Sequence, residues 1–189
     1  MKLKRLYHSL RLCLIPSAAA RANYIRTHHL FAAMGENCTI MKRKLPLYPN
    51  LIRVGNNVRM ASGVSFLTHD ITHSVLNGLP EEERKGRRFH ETIGCISIGD
   101  NVFLGAQVRI LPDTRIGNRV IVGAGSTVTH DIPDNSVAVG SPARVIGTFD
   151  DFLVRRLEGK PYPNGFRAVR QEISEPFAEY LWDEFEKKH

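Results

Sequence analysis

The sequence predicts an all-β solenoid, in which short strands and tight turns stack in parallel register. An aliphatic residue recurs at every sixth position from Ile98 to Val128, and a second small or branched residue follows each one by four positions. Glycine directly follows four of these aliphatic residues, at Gly99, Gly105, Gly117 and Gly123. Neither a helix nor an ordinary alternating strand has a period of six. We therefore interpret each hexad as one strand and one turn, with three hexads closing one coil.

The same frame extends upstream, through a copy at Val54-Gly55 and a weaker one at Met34-Gly35, so we assign the solenoid to residues 34–146. A β-sandwich with accidental six-residue spacing is the alternative, and six consecutive phased aliphatic residues disfavour it. The frame also predicts that the leading apolar residue of each hexad points into the coil. These residues are Val54, Met60, Phe66, Ile98, Leu104, Ile110, Ile116, Val122 and Val128, and the second set that follows them comprises Val58, Val64, Val102, Val108, Thr114, Val120, Ser126 and Ile132.

Helical segments are predicted on both sides of the repeat. In residues 1–33, apolar residues at helical spacing predict a short amphipathic helix that ends at Pro16: Leu3, Leu6, Tyr7, Leu10 and Leu14. A basic helix of this kind can lie on an anionic membrane surface, but we expect it to pack against its own protein. In residues 147–189, apolar spacing predicts two helical pieces that cap the coil stack.

Residues 72–92 break the six-residue frame and are polar, charged and glycine-containing. We interpret them as a loop that leaves one coil and returns to the next. A long excursion from a rigid scaffold is a common location for a functional lid, and its start directly after His69 favours a functional role over a plain surface loop.

The chain has 189 residues, enough for one main domain, and a formal net charge of +7. The basic residues form no dense block and no nucleic-acid-binding motif is present, so we expect an anionic ligand or surface and no nucleic acid. The three cysteines form no CxxC pair, which favours a reducing compartment. No segment has the apolar length of a signal peptide, and we expect a cytoplasmic protein without a metal cofactor.

The segment "IGDNVFLGAQVRILPDTRIGNRVIVGAGSTVTHDIPDNSVAVGSPARVI" resembles the hexapeptide-repeat acetyltransferases, closest to the sugar, polysaccharide and xenobiotic branch. The resemblance covers roughly residues 34–146 and is carried most specifically by "GAGSTVTHDIP" and "GSPARVI". It implies that the solenoid is a left-handed parallel β-helix and that the protein is an acyltransferase. Asp113 stands where the family usually has glycine, a substitution that we expect to alter a turn and not the chemistry.

Acyl transfer to an alcohol or amine needs a base for the acceptor's proton, and histidine is the natural candidate. In the similar acetyltransferases the catalytic histidine follows a Gly-Val hexad and precedes the loop, so the resemblance implies that His69 in "GVSFLTHD" is the base. His73 stays a second candidate, since this alignment is not gap-free. Asp70, His90 and Glu91 are candidates for contacting the acceptor or the base. Adjacent side chains on a strand point to opposite faces, so we do not expect Asp70 to orient His69.

The resemblance further implies that acetyl-CoA lies along the coil backbones, in a cleft between subunits of a homotrimer. The matching positions are Gly105, Ala106, Gly123 and Ala124 for pantetheine and Thr129 and Arg144 near the adenosine end. The implied acceptor is a hydroxyl or amine of a sugar in surface-polysaccharide or glycan synthesis, with a xenobiotic acceptor as the nearest alternative. Outside this class, a zinc-dependent β-helix carbonic anhydrase and a non-catalytic trimeric scaffold stay open.

Overall fold

A computed structural model describes residues 2–159, 161–169 and 172–189. Residue 1 of the predicted N-terminal segment and residues 160, 170 and 171 of the predicted C-terminal extension lie outside the described residues. The chain divides into two compact units, Met1–Phe152 and Leu153–His189.

Short helices lie at both ends of the chain and within the excursion. The α-helices of the described ranges are Lys2–Leu14 (α1), Ala18–Thr27 (α2), Thr72–Asn77 (α3), Glu81–Arg84 (α4), Phe149–Leu157 (α5) and Glu175–Glu186 (α6). Single 3₁₀ turns occupy Pro49–Leu51 and Pro163–Gly165. No helix in these ranges combines the length and the apolarity that a membrane-spanning helix needs.

Strands of two to five residues fill the region between α2 and α5. They are Ala33–Met34 (β1), Thr39–Ile40 (β2), Ile52–Val54 (β3), Arg59–Met60 (β4), Ser65–Phe66 (β5), His69–Asp70 (β6), Thr92–Ile93 (β7), Ile96–Ile98 (β8), Val102–Leu104 (β9), Arg109–Ile110 (β10), Thr114–Ile116 (β11), Val120–Val122 (β12), Thr127–Val128 (β13), Ser136–Val139 (β14) and Arg144–Thr148 (β15).

From β3 to β13, the strands outside the β6–β7 pair join three sheets in rotation. The sheets have the orders β1-β3-β8-β11, β2-β4-β9-β12-β14 and β5-β10-β13, with every one of these pairings parallel. Strand β15 closes the second sheet by pairing antiparallel with β14. The predicted parallel pairing of short strands is therefore confirmed.

The pairing register reproduces the hexad repeat. Strands β8, β9 and β10 pair with β11, β12 and β13 at a step of 18 residues, as between Ile96 and Thr114. The step from the preceding circuit is 44 residues, as between Ile52 and Ile96, because the excursion intervenes.

The nine leading apolar side chains predicted to point inward are buried, and so are the eight residues of the second set, none of the seventeen being more than 5% exposed. Aliphatic side chains buried to this degree each contribute roughly 1.5–3 kcal/mol. The two polar members retain hydrogen bonds: the hydroxyl of Thr114 donates to the Leu111 carbonyl, and that of Ser126 donates to the Gly123 carbonyl. Their burial therefore leaves neither hydroxyl without a partner.

The predicted N-terminal helix is present as α1, but the expected packing of its apolar row is wrong. That row is exposed, and the helix packs through a different face that buries His8 and Leu12. A second helix, α2, follows with Ser17 as its N-cap, whose hydroxyl accepts a hydrogen bond from the Ala20 amide. Helix α2 was not predicted, although a serine ahead of an alanine-rich segment is a helix-start signal.

Arg21 anchors α2 to the first circuit of strands. Its side chain is only 1% exposed, and its guanidinium donates to the carbonyls of Ile40, Ile15 and Pro16 at 2.9, 2.7 and 2.9 Å. Burial lowers the pKa of this guanidinium from its ordinary value. Three carbonyls thus replace the water that a buried cation loses.

The unit Leu153–His189 contains the second predicted C-terminal helical piece, α6, while the first piece is α5. Phe177 is buried in this unit, with the ring of Phe166 stacked on it and that of Tyr162 edge-on. Capping of the strand region by this segment stays a prediction.

Candidate active site

His69 stands where the regular repeat ends. Strand β6, which contains it, pairs antiparallel with β7 at the return of the excursion, so that His69 faces Ile93 and Asp70 faces Thr92. This pairing brings both ends of the excursion together. Glu91, one residue before β7, thereby lies close to His69.

The excursion is more ordered than the predicted loop, since it contains α3 and α4. The side-chain amide of Asn77 donates to the Phe89 carbonyl and accepts from the Phe89 amide, both at 2.9 Å. One asparagine thus satisfies both backbone polar groups of Phe89 in the manner of a strand partner. The excursion is closed at this point and again at the β6–β7 pair.

Two side chains from separate segments, Glu91 and Tyr48, lie against His69. Nε2 of His69 lies 3.9 Å from a carboxylate oxygen of Glu91, and the hydroxyl of Tyr48 donates to the other oxygen at 2.9 Å. The Tyr48 ring stands edge-on to the imidazole, with ring centroids 5.5 Å apart. The side chains of His69 and Glu91 are 25% and 27% exposed, so the pair is partly shielded from water.

The two nitrogens of His69 have different surroundings. Nδ1 is buried and has no hydrogen-bond partner within the described ranges, whereas Nε2 faces Glu91. A buried polar atom without a partner calls for a further group, such as water, substrate or a neighbouring chain.

Tyr48 is a site residue that the sequence analysis missed. It has a left-handed backbone, with φ of 49°, directly before the 3₁₀ turn at Pro49–Leu51. Its hydrogen bond to Glu91 raises the pKa of the phenol, because ionisation would place two negative charges side by side. Tyr48 lies far outside the "GVSFLTHD" motif in sequence, and only the positions of the folded strands bring it to His69.

Asp70 has a structural partner. One of its oxygens accepts hydrogen bonds from the backbone amide and the hydroxyl of Thr72, at 2.9 and 2.6 Å. The Thr72 hydroxyl, the Thr72 amide and then nearby His73 lower the pKa of this carboxyl. Asp70 therefore forms hydrogen bonds with the first residue of α3, and no hydrogen bond or ion pair joins its side chain to that of His69.

The other two histidine candidates lie on the excursion. His73, in α3, is half-buried, and its Nδ1 has no partner within the described ranges. His90 is exposed. No group of three histidine, cysteine or carboxylate side chains in the described part of the chain is positioned to hold a metal ion.

A ladder of side chains runs along one set of turns, which we call the ladder turns (residues 35–37, 55–57, 99–101 and 117–119). At each ladder turn the amide of the second residue donates to a side-chain oxygen of the next circuit. The four bonds run from Glu36 to Asn56, from Asn56 to Asp100, from Asp100 to Asn118 and from Asn118 to Asp134, at 2.6–2.9 Å. Every second-position amide of this set is therefore satisfied within the chain.

A second set of turns, the amide turns (residues 61–63, 105–107 and 123–125), has the same backbone bonds without the ladder. In each amide turn the amide of the first residue donates to a carbonyl of the next circuit. In the turns 105–107 and 123–125 the amide of the third residue donates to a carbonyl of the preceding circuit, as it does in the three later ladder turns. The second residues are Ser62, Ala106 and Ala124, whose amides donate to no acceptor within the described ranges. A Cβ on Gly105 would lie 2.5 Å from the Ala124 nitrogen, so only glycine fits there.

The remaining candidate residues lie beyond the amide turns. Thr129 bonds to the ring of exposed His130 at 2.8 Å, and Arg144 is exposed at the start of β15. Asp113 has φ of 54° and its carboxylate accepts from the Cys95 amide at 3.0 Å. Asp113 thus occupies the left-handed position that glycine would favour and adds a bond between circuits.

Residues 95–130 match the family model of the bacterial transferase hexapeptide, which comprises six repeats. The chain is 34% identical over 146 residues to galactoside O-acetyltransferase of Lactococcus lactis, a match that covers 65% of each protein. It is 38% identical over 102 residues to galactoside O-acetyltransferase of Escherichia coli, covering 53% of this chain. The chain spans 65% and 45% of the lengths of these two relatives.

Solved structures extend the similarity over more of the chain. A galactoside acetyltransferase in complex with coenzyme A superimposes with a TM-score of 0.54 and 26% identity, covering 89% of this chain and 90% of that one. A maltose O-acetyltransferase from Clostridium difficile gives a TM-score of 0.50 and 27% identity, with 77% and 87% covered.

Proposed function

We propose that this chain, a member of the hexapeptide-repeat acetyltransferases, transfers an acetyl group from acetyl-CoA to a hydroxyl or amine of a sugar. The resemblance predicted from sequence is confirmed by the hexapeptide match and by the relatives. The galactoside and maltose O-acetyltransferases among them favour a sugar hydroxyl as the acceptor. Surface polysaccharides and related glycans are the acceptors that we infer for this protein.

The proposed scaffold is a left-handed parallel β-helix. Rotation of successive strands through three parallel sheets, with a step of 18 residues, is what a three-hexad coil requires. We also propose that the protein forms a homotrimer in the cytoplasm, with each active site between two subunits. The missing partner of His69 Nδ1 is compatible with a group that a neighbouring subunit or the substrate supplies.

The single observation that carries the catalytic proposal is the arrangement of His69, Glu91 and Tyr48. Nε2 of His69 faces the Glu91 carboxylate at 3.9 Å, so a sugar that donates one hydroxyl to Nε2 can donate a neighbouring hydroxyl to Glu91. Nε2 then removes the acceptor proton while the acceptor oxygen attacks the thioester carbonyl carbon. The C–S bond of the resulting tetrahedral intermediate breaks, and the CoA thiolate leaves and takes up the proton held by the His69 imidazolium. Tyr48 holds Glu91 through its hydroxyl, which leaves one carboxylate oxygen to bind the acceptor or the imidazolium.

The amide turns are the proposed location of the acyl donor. The amides of Ala106 and Ala124 lie on one line of the scaffold and have no acceptor within the described ranges. Gly105 and Gly123 let successive circuits approach closely there, since a Cβ on either would lie 2.5–2.7 Å from the next circuit. Such amides suit the carbonyl groups of pantetheine and the oxyanion of the reaction. Thr129 and Arg144 are the proposed contacts toward the adenosine end, where an arginine can pair with phosphate.

The first test is acetyl-CoA binding by calorimetry, followed by acetyl transfer to galactosides, maltose and nucleotide sugars. We expect His69→Ala to bind acetyl-CoA normally and to lose about 10²–10⁴-fold in turnover, the usual contribution of a general base. His189→Ala, at an exposed histidine far along the chain, is the matched control and should transfer normally. A chain that binds no acetyl-CoA would overturn the acyltransferase proposal.

His73→Ala separates the two candidate bases. We expect this variant to keep most of its turnover, since His73 lies in α3 and has no recorded contact with Glu91. Full activity in His69→Ala together with loss in His73→Ala would transfer the base role to His73. Glu91→Gln should raise the KM for the acceptor more than that for acetyl-CoA, because Glu91 accepts the neighbouring hydroxyl of the acceptor.

A further inference from the structure

Helix α1 presents a continuous row of large apolar side chains to solvent. Five of them are 56–82% exposed: Leu3, Leu6, Tyr7, Leu10 and Leu14. At 3.6 residues per turn they occupy a single arc of roughly 100° on the helix surface. The packed face, with His8 and Leu12, is a different one. The exposed row is therefore not needed for packing α1 against the rest of its unit.

Cations border this apolar row along both edges. Lys4 and Arg11 follow it on one side of the helix, and no acidic residue occurs in α1. On the other side lies the loop of residues 41–44, held there because the Arg43 guanidinium donates to the Cys13 carbonyl at 2.7 Å. Lys44 of this loop and the apolar side chains Leu6 and Leu10 line one shallow cavity of about 230 Å³.

The positive charge of the protein is concentrated in this region. Residues 1–44 contain nine lysines and arginines and one glutamate, whereas the other 145 residues contain 17 basic and 18 acidic ones. The whole net charge of +7 thus comes from the segment that contains α1 and the 41–44 loop. Such an asymmetry indicates an anionic partner at this end of the chain.

The same charges decide between two ways of covering the apolar row. A second copy packed symmetrically on this face would bring its own cationic borders against these, with no carboxylate in either helix to compensate. On an anionic lipid surface, the lipid phosphates can pair with the cations, and the leucine side chains can enter the boundary between headgroups and acyl chains. A basic amphipathic helix of this composition binds in the plane of such an interface.

We propose that α1 and the 41–44 loop form a membrane-binding surface that attaches the protein peripherally to an anionic lipid bilayer. The five apolar side chains enter the boundary between headgroups and acyl chains, and Lys4, Arg11, Arg43 and Lys44 contact lipid phosphates. This inference does not depend on the proposed acetyl transfer, because none of these residues belongs to the candidate active site.

Vesicle sedimentation of the full chain tests the proposal. We expect binding to vesicles of phosphatidylcholine mixed equally with phosphatidylglycerol, weak binding to phosphatidylcholine alone, and loss of binding as salt is raised. Leu6→Gln combined with Leu10→Gln should lower the partition coefficient at least about tenfold while keeping helix propensity. Arg11→Gln combined with Lys44→Gln should lower it by about fivefold for each cation.

The matched control is Val154→Gln combined with Leu157→Gln, two exposed aliphatic residues of α5 that should not affect vesicle binding. Equal binding to both kinds of vesicle, or normal binding of the Leu6 and Leu10 double variant, would overturn the proposal. So would a change in the oligomer mass of that double variant during sedimentation without lipid, which would assign the apolar row to an interface between copies. Circular dichroism verifies that each variant is folded.

Discussion

The ladder turns and the amide turns share one backbone and differ at one position. In both, the first amide bonds to the next circuit, and the third residue has a positive φ, as at Asn101 and Gln107 with 58° and 63°. At the second position the three later ladder turns have asparagine or aspartate, whose oxygen accepts the amide of the preceding circuit. The amide turns place alanine or serine there, and the amide has no acceptor within the described ranges.

The difference assigns stability to one line of turns and, in the proposed function, ligand binding to the other. A ladder of side chains satisfies every second-position amide of the ladder turns, and each such bond contributes about 1 kcal/mol. The amide turns lack that contribution and keep the same donors for the proposed ligand. Four experiments test this distinction.

The largest effect is expected from Ala106→Pro combined with Ala124→Pro. A positive φ at the third residue and a bond between the first and fourth residues define a type II turn, which favours proline at the second position. Proline should thus remove the two free donors without strain. We expect acetyl-CoA affinity to fall about tenfold per amide by calorimetry, with an unchanged thermal midpoint. Unaltered affinity would show that the ligand does not use these amides.

Asn118→Ala probes the opposite side. It removes the acceptor of the Asp100 amide and the bond from Asn118 to Asp134, so we expect a loss of about 1–2 kcal/mol of unfolding free energy in urea titrations. Acetyl-CoA affinity should stay normal. Asn118→Asp retains an acceptor for the Asp100 amide but replaces the donor to Asp134 with a second carboxylate, so it is combined with Asp134→Asn. That pair should be more stable than Asn118→Ala combined with Asp134→Asn. An unchanged free energy of unfolding in Asn118→Ala would mean that the ladder bonds of Asn118 contribute nothing.

Ala124→Asn should convert an amide turn into a ladder turn. Its side-chain oxygen can accept the Ala106 amide as Asn118 accepts that of Asp100, at 2.8 Å. We expect a gain of about 1 kcal/mol in stability and weaker acetyl-CoA binding. Ala124→Leu, which has similar size and no acceptor, should weaken binding without any gain. A loss of stability in Ala124→Asn would contradict the equivalence of the two turns.

The smallest effect concerns pH. The Asn118 amide and then its side chain lower the pKa of Asp134 below the ordinary 3.8. A lowered folded-state pKa adds stability above the unfolded value, and this contribution disappears as the pH falls through 3.8 toward the folded value. The urea midpoints measured at neutral and at acid pH should therefore differ more in the wild type than in Asp134→Asn. Identical pH dependence in the two proteins would remove Asp134 from this role.

The six-residue period was sufficient to predict the interior of the fold. Each inward position, from Val54 to Val128, depends only on its place in the hexad, and local repetition carries that information. The same period distinguishes the turns, since the residue after each glycine is Asp100 or Asn118 in one set and Ala106 or Ala124 in the other.

Two features could not be predicted in this way. The proximity of Glu91 and Tyr48 to His69 arises from chain closure across the excursion, and no periodic signal encodes it. Helical spacing reveals the apolar row of α1 but not which face packs, because His8 and Leu12 define a second, less apolar stripe. The choice between the stripes depends on contacts with the loop of residues 41–47, such as the bond from the Leu45 amide to the Ser9 hydroxyl.

The two register steps also imply an order of folding. Circuits whose strands pair at a separation of 18 residues form by closing short loops, so their contact order is low. Strand pairing across the 44-residue step costs about 0.8 kcal/mol more in loop-closure entropy. We therefore expect residues 96–139 to form the folding nucleus, onto which the earlier circuit docks later. Glu91 and Tyr48 reach His69 only in that late step, so the candidate active site is completed after most of the core has formed.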